Sequence, residues 1–495
     1  MNTPNAKNYK NIQLSASIDE NTSNIESILA QTADLLLNPF LIGGVKCNLV
    51  CFEGMVSTQV ITNLILRPLS DLSLNMKNSN STEIFSHIDC HMLMTIDKSY
   101  SADYGDLLKR LMNGFAVLLI DGVATAFSFG VQGFAARNIA EPSSEGNLSG
   151  ARDGFVETLF SNMSLVRRRM KSPLLKFELF SVAKTSNTDV ILAYMTDRVP
   201  LELVNKIKKQ LQGMELESIL GSGYIEPYLN DTKLSVFSGV SVTERPDVFC
   251  AKILEGRIGL LIDGSPFSIM LPYLFIENFQ TLDDYNFRPY YTTIIRWIRY
   301  AAFFLAVFLP ALYTAVTVFH PELFNHYFIM TLAAAEELTP LPLAVETLFV
   351  LFAFEIIREA GLRLPKSVGG AVSIVGGLLI GDAAVSAGII SKPLLLACAL
   401  SFTASFVIPS LNQSITALRF ISVIAGGIAG LYGVALAGAV ILINICSLES
   451  YGAPVMSPLS PFTPKSMRDV LTRIGFKRMA TGNTAIEGLK GVNLS

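Results

Sequence analysis

Apolar and polar positions follow two different rhythms along this chain, and the change falls near Ile294. Before it, short apolar runs such as Leu49-Val50-Cys51-Phe52 and Ile191-Leu192-Ala193-Tyr194 are each followed by a turn and an amphipathic helical pattern, to about Leu66 and Leu211. After it come long blocks with almost no charge: 300–319, 393–418 and 420–448 have none, and 367–391 has only Asp382. About twenty apolar residues span the hydrocarbon core of a bilayer. The pattern predicts an α+β N-terminal region joined to an all-α polytopic membrane domain.

The N-terminal region reads as two related subdomains. One offset of 142 residues separates Cys51 from Ala193 and also Asp121 from Asp263, because the string LLIDG occurs at 118–122 and again at 260–264. Asp-Gly between β-rich flanks is a hairpin signal. The expected divisions are a flexible tail rich in Asn and Ser at 1–25, a first subdomain at 26–140 and a linker at 141–154, EPSSEGNLSGARDG. A second subdomain at 155–290, a membrane domain at 291–450 and a C-terminal tail at 451–495 follow.

In the membrane half the pattern predicts five or six spans, some broken or re-entrant. The first begins after Arg296 and Arg299 and contains Pro310, and the connector His320-Pro321-Glu322 has no Lys or Arg and is expected to face outward. Residues 323–357 are interrupted by Glu336, Glu337, Pro340 and Pro342 and carry Glu346 in mid-span. Glu355, Arg358, Glu359 and Arg363 are expected to form a paired network at the cytosolic mouth, since unpaired charges there would be costly to desolvate. In 367–388, Gly369, Ser373, Gly377 and Gly381 recur every four residues as a packing ridge. Val372, Val375, Leu379, Asp382 and Ser386 lie opposite and are the candidate lining of a pore. Block 420–448 holds Gly426, Gly427, Gly430 and Gly433, and the tail after it holds Lys465, Arg468, Arg473, Lys477 and Arg478. A broken or re-entrant hairpin keeps that basic tail inside.

Composition excludes more than it suggests. Net charge is −3, which argues against a nucleic-acid partner, and the polar N-terminus lacks the apolar run of a cleaved signal, so the N-terminal domain is expected in the cytosol. The cysteines Cys47, Cys51, Cys90, Cys250, Cys398 and Cys446 lack CxxC spacing and are expected as reduced thiols. Walker A, GxGxxG and GxSxG motifs are absent from the sequence, and Ser181 to Lys184 matches SxxK without a partner motif. His87 and His91 flank Cys90 at metal-compatible spacing but read better as surface histidines. Arg167, Arg168, Arg169 and Lys171 form the densest basic cluster, either a solvated or salt-bridged helix face, or a contact with acids of a neighbouring subunit or with anionic lipid. The expectation is a protein that is not an enzyme and takes no cofactor or metal.

Longer strings carry a resemblance. ARDGFVETLFSNMSLVRRRM at 151–170, GSGYIEPYL at 221–229, VTERPDV at 242–248, LEGRIGLLIDGSPF at 254–267, FHPELF at 319–324, REAGLRLPKSVGGAVSIVGGLLIG at 358–381 and SPLSPF at 457–462 resemble the A-subunit family of GerA-type spore germinant receptors, over about residues 30–465. Its motif residues in the soluble domain are here Arg152, Gly154, Phe155, Glu157, Arg167, Arg168, Arg169, Glu244, Arg245, Pro246, Asp247, Gly256, Arg257, Asp263, Gly264 and Pro266. The resemblance implies a multi-pass protein of the spore inner membrane with a cytosolic N-terminal domain. It also implies homo-oligomerisation, a transporter-like B subunit and a lipoprotein C subunit as partners, contact with membrane lipid, and a part in conducting monovalent cations. Ala151, Asp153, Ser265, Glu336 and Asp382 depart from the usual pattern. A stage V sporulation paralogue assisting dipicolinate or ion release belongs to the same family. A secondary transporter and a non-conducting scaffold are the readings from other classes; the first is weakened by too few spans, the second by Glu346 and Asp382 at depth.

Overall fold

The computed structural model describes residues 9–10, 12–76, 79–91, 95, 97–133, 142, 145–146, 149–230, 235–337, 339–364, 381–462 and 466–475. Its N-terminal region contains two five-stranded antiparallel sheets of the same plan. The first comprises β1 (Leu35–Ile42), β2 (Val45–Phe52), β3 (Lys98–Ser101), β4 (Phe115–Ile120) and β5 (Ala126–Gly130), in the order β1-β2-β4-β5-β3. The second, β6 (Leu175–Val182), β7 (Thr188–Met195), β8 (Ser241–Thr243), β9 (Ile258–Ile262) and β10 (Ser268–Leu271), repeats it as β6-β7-β9-β10-β8. Both LLIDG strings end a strand and turn into the next, with Gly122 and Gly264 at φ 85° and 77°. The two halves thus share a topology as well as an offset.

Each central strand is buried on both faces, which explains its unbroken apolar run. Cys47, Leu49 and Cys51 face one core while Val50 and Phe52 face another. In the second sheet Val190, Leu192 and Tyr194 face one side, and Ile191, Ala193 and Met195 the other. The expected flexible tail at 1–25 is corrected for its described residues: Ile18–Ile28 is a helix, and Tyr9, Leu14, Ile18 and Ile25 are buried with Val50 and Phe52. Ser17 caps that helix by accepting from Glu20 N–H, and the Ile18 N–H donates to Asp121. The abundance of Asn and Ser hid an apolar stripe that suffices to dock it.

The C-terminal part is helical: Pro289–Phe319, His326–Glu336, Leu343–Arg363, residues 381–386, Lys392–Ser405 and Asn412–Ser447. Pro289–Phe319 and Pro409–Ser447 are long and apolar enough to cross a membrane. A straight 36-residue helix would be about 54 Å long. Yet Ser414, near its start, donates to Val236 O, and Asn444, near its end, accepts from Ser235 Oγ. The chain reverses at Gly430 (φ 62°, ψ −144°), which brings Gly426 against Val434. A side chain there would be strained and would strike Phe319. Ile428 and Tyr432 at 75% and Leu396 at 72% exposure give the bundle an apolar outer surface, which suits lipid and not water.

The described residues after 450 are packed against the rest of the chain. The hairpin of β11 (Glu449–Ser450) and β12 (Ala453–Pro454) returns the chain to the second subdomain, where the Tyr451 hydroxyl donates to Leu229 O at 2.6 Å and Phe275 N–H donates to Val455 O at 2.9 Å. Phe237, Phe275 and Phe279 share one core with Ala302, Ala306, Ile415 and Ile445. Soluble and helical halves are therefore packed directly together.

Candidate functional site

The interior of the helical bundle is organised around one missing hydrogen bond. Pro310 lies inside the first long helix and has no N–H for the carbonyl of Ala306, one turn earlier. Arg419 Nε and Ser401 Oγ both donate to that carbonyl, each at 2.8 Å. The Arg419 guanidinium is 1% exposed and lies over the Phe402 ring at 4.6 Å. Two turns further along, the Thr314 and Thr347 hydroxyls meet at 2.9 Å. One arginine and one serine thus fasten the hairpin and the helix Lys392–Ser405 onto the first long helix at the carbonyl that Pro310 frees.

At the soluble end a second set of charges joins three separate segments. Arg296 Nε donates to Asp284 at 2.9 Å, its Nη1 pairs with Asp469 at 3.0 Å, and Arg299 holds Asp284 at 2.8 Å. The Tyr285 hydroxyl donates to Asp469 at 2.6 Å, and burial together with that carboxylate raises its pKa. Beside this junction, Glu277 accepts from Arg257 and Lys252. Burial opposes its ionisation, but the two cations overcome that and hold the Glu277 carboxyl well below the usual carboxylate range. Glu277 lies in the turn Phe275–Phe279, whose rings pack on Tyr300 and Phe303 of the first long helix. The second subdomain is thus joined to that helix by charge pairs and by edge-to-face and tilted ring contacts.

The residues anticipated from sequence fall in several places. Glu355 pairs with Arg358 at 2.6 Å and accepts from Thr416, whereas Arg363 pairs with Glu359 at 2.6 Å in an exposed position. Among the described residues these are two pairs within one helix, with no contact joining them into the expected network. Gly381 faces Leu395 of the neighbouring helix, while Asp382 and Ser386 are exposed. Gly369, Val372, Ser373, Val375, Gly377 and Leu379 lie outside the described residues, as do Lys465, Lys477 and Arg478.

The basic cluster is salt-bridged, as one of the expected alternatives had it, with Lys171 at its exposed end. Arg167 is fully buried, donates to both oxygens of Asp34 at 2.8 and 2.9 Å, and lies between the rings of Phe52 and Phe177 at 4.8 Å each. Asp34 belongs to the first subdomain and Arg167 to the second. Arg169 pairs with Asp153, and Lys171 donates to Asn113 at 2.6 Å. The other motif residues shape the second subdomain: Phe155 N–H donates to Glu244 O, Asp263 caps the helix Leu159–Arg169, and Gly264 N–H donates to Glu157 O. Arg245 forks onto Asp247 and reaches Ala151 O, Pro246 opens a helix, and Gly256 turns at φ 85° before Arg257. His87 and Cys90 are on the helix Ser81–His91, and no cluster fit for a metal occurs among the described residues.

Sequence reasoning passed over Asp34, Asp284 and Arg419. Arg419 left a signal, being the only charge between Pro393 and Leu448. Asp34 left none, because its partner lies 133 residues away, whereas the partners of Asp284 lie 12 and 15 residues on, at the start of the first long helix.

The family described as Bacillus/Clostridium GerA spore germination protein matches residues 23–484. Spore germination protein KA of Bacillus subtilis (strain 168) is 36% identical over 94% of this chain and 85% of its own length. Spore germination protein GerLA of Bacillus cereus is 30% identical over 94% of both chains, and stage V sporulation protein AF of Bacillus subtilis (strain 168) is 26% identical over 86% of both. Among solved structures, the N-terminal domain of the A subunit of the Bacillus megaterium germinant receptor GerK3 is similar at 29% identity, covering 53% of this chain and 97% of that one, with a TM-score of 0.42. The chain belongs to the GerA family of spore germination proteins.

Proposed function

We propose that this chain is the A subunit of a nutrient germinant receptor of the spore inner membrane, its soluble half in the cytosol and its helices crossing the bilayer several times. Copies of it assemble around an ion-conducting pore that they form or gate, in company with a transporter-like B subunit and a lipoprotein C subunit. The observation that carries the reading is the sidedness of 381–386. Gly381 packs on Leu395 while Asp382 and Ser386 stand exposed on a bundle whose surface carries many exposed apolar side chains. An aspartate facing lipid near mid-bilayer would cost about 2.5–3.5 kcal/mol, so it belongs against water or a second copy. The charge pairs at Arg296 and Glu277 supply a route by which the soluble half moves the helices. Identity of 36% to a germination protein against 26% to the stage V protein favours the receptor role. In proteoliposomes with and without partner subunits, Asp382→Asn should reduce preference for monovalent cations and Val375→Ala should leak without nutrient. Unchanged flux in both variants, at normal protein levels, refutes the pore.

A further inference from the structure

Among the described residues, the end of the bundle away from the soluble half holds five buried oxygen atoms that make no well-formed hydrogen bond. They are Oε2 of Glu346, Oε1 of Glu336, the hydroxyls of Tyr313 and Thr317, and Oγ of Ser391. The Tyr313 hydroxyl stands against those of Thr317 and Ser391 without hydrogen-bond geometry, and lies in the field of both carboxylates, which also act on one another. Four elements place these groups together: the last turns of Pro289–Phe319, the end of His326–Glu336, the first turn of Leu343–Arg363, and the N-cap of Lys392–Ser405.

Glu346 is 0% exposed and Ser391 3% exposed, so neither group turns out to bulk water. The Ser391 N–H donates to Oε1 of Glu346 at 2.6 Å, which satisfies one carboxylate oxygen and leaves the other, Oε2, buried without a partner among the described residues. No Lys, Arg or His pairs with Glu336 or Glu346 among the described residues. Water would satisfy the lone pairs, whereas a cation would in addition offset carboxylate charge in a low-dielectric interior.

We infer that these five groups bind one monovalent alkali cation, K⁺ or Na⁺. The donor set is all oxygen, which suits hard cations and disfavours zinc or copper. Because Oε1 of Glu346 is already engaged, Glu346 offers a single oxygen beside neutral hydroxyls, a weaker field than the bidentate carboxylates of Ca²⁺ sites. The site is distinct from the pore face at Asp382. It rests only on the packing of the bundle, not on conduction.

The test is thermal unfolding of the purified full-length protein in detergent, titrated with KCl, NaCl or N-methyl-D-glucamine chloride at constant ionic strength, together with direct binding of ⁸⁶Rb⁺ and ²²Na⁺. A saturable rise in Tm with K⁺ or Na⁺ and stoichiometric tracer binding are expected, and both should be lost in Glu346→Gln and in the half-exposed variant Glu336→Gln. Glu336→Arg supplies a tethered cation and should raise Tm without added salt while abolishing the alkali response. Equal response to N-methyl-D-glucamine, a stronger response to Ca²⁺, or binding that persists in folded Glu346→Gln would overturn the assignment. So would a cation-independent wild type that Glu346→Gln stabilises, since that marks a shared proton instead. Vesicle flux is measured in parallel: absent flux with intact tracer binding removes the pore and leaves this site standing.

Discussion

Replacing Arg167 by Ala should separate the two soluble subdomains. The wild-type guanidinium makes two charge-assisted hydrogen bonds to Asp34 at 2.8 and 2.9 Å, donates to the carbonyls of Ser172 and Leu175 at 3.2 and 3.1 Å, and fills the gap between two rings. Its removal leaves the Asp34 carboxylate, 1% exposed, with the Thr32 hydroxyl at 2.6 Å as its hydrogen-bond donor. Breaking a buried pair from one side costs about 3–5 kcal/mol, because the remaining charge stays desolvated. By contrast Lys46→Ala, at an exposed pair with Asp19, should change stability by less than about 0.5 kcal/mol. Urea-dependent pulse proteolysis of the detergent-solubilised full chain, scored by cleavage within 26–290, reads the difference. The double variant Arg167→Met, Asp34→Leu should recover most of the loss, since an apolar pair carries no stranded charge. If Arg167→Ala shifts the unfolding midpoint no more than Lys46→Ala, the guanidinium is not the pin between subdomains and belongs to an external contact.

Gly430→Ala should destabilise the helical half by about 1–3 kcal/mol, because its φ of 62° with ψ of −144° admits almost only glycine and the new methyl would meet Phe319; thermal unfolding of the purified protein checks this, and an unchanged Tm means the hairpin is not closed at that residue. Glu277 is held ionised by Arg257 and Lys252, so its contribution to stability is present above the ordinary carboxyl pKa of 4.5 and is lost as pH falls below that value. Unfolding profiles between neutral pH and acid should therefore steepen below that point in the wild type and less so in Glu277→Gln. Parallel profiles would assign the acid sensitivity to other carboxylates.

The local pattern by itself determined the elements and their repetition. Two strands that read as continuous apolar runs had to be central, since Leu49 and Val50, or Leu192 and Ala193, point to opposite faces and both faces are buried. The Asp-Gly turns followed from backbone chemistry, and the break in the last apolar block from its length, its glycines and the basic tail beyond it. What sequence could not decide was which charges meet. Arg167 read as part of a solvated or salt-bridged cluster, but which acid it meets was not legible, because Asp34 lies 133 residues away across a subdomain boundary. Arg419 acquires its role only because Pro310 frees a carbonyl 113 residues earlier in the chain, and Glu346 gains meaning from Tyr313, Glu336 and Ser391 on three other elements. Periodicity reports the environment along one element, whereas burial and pairing of a charge depend on elements that the chain brings together only when it folds.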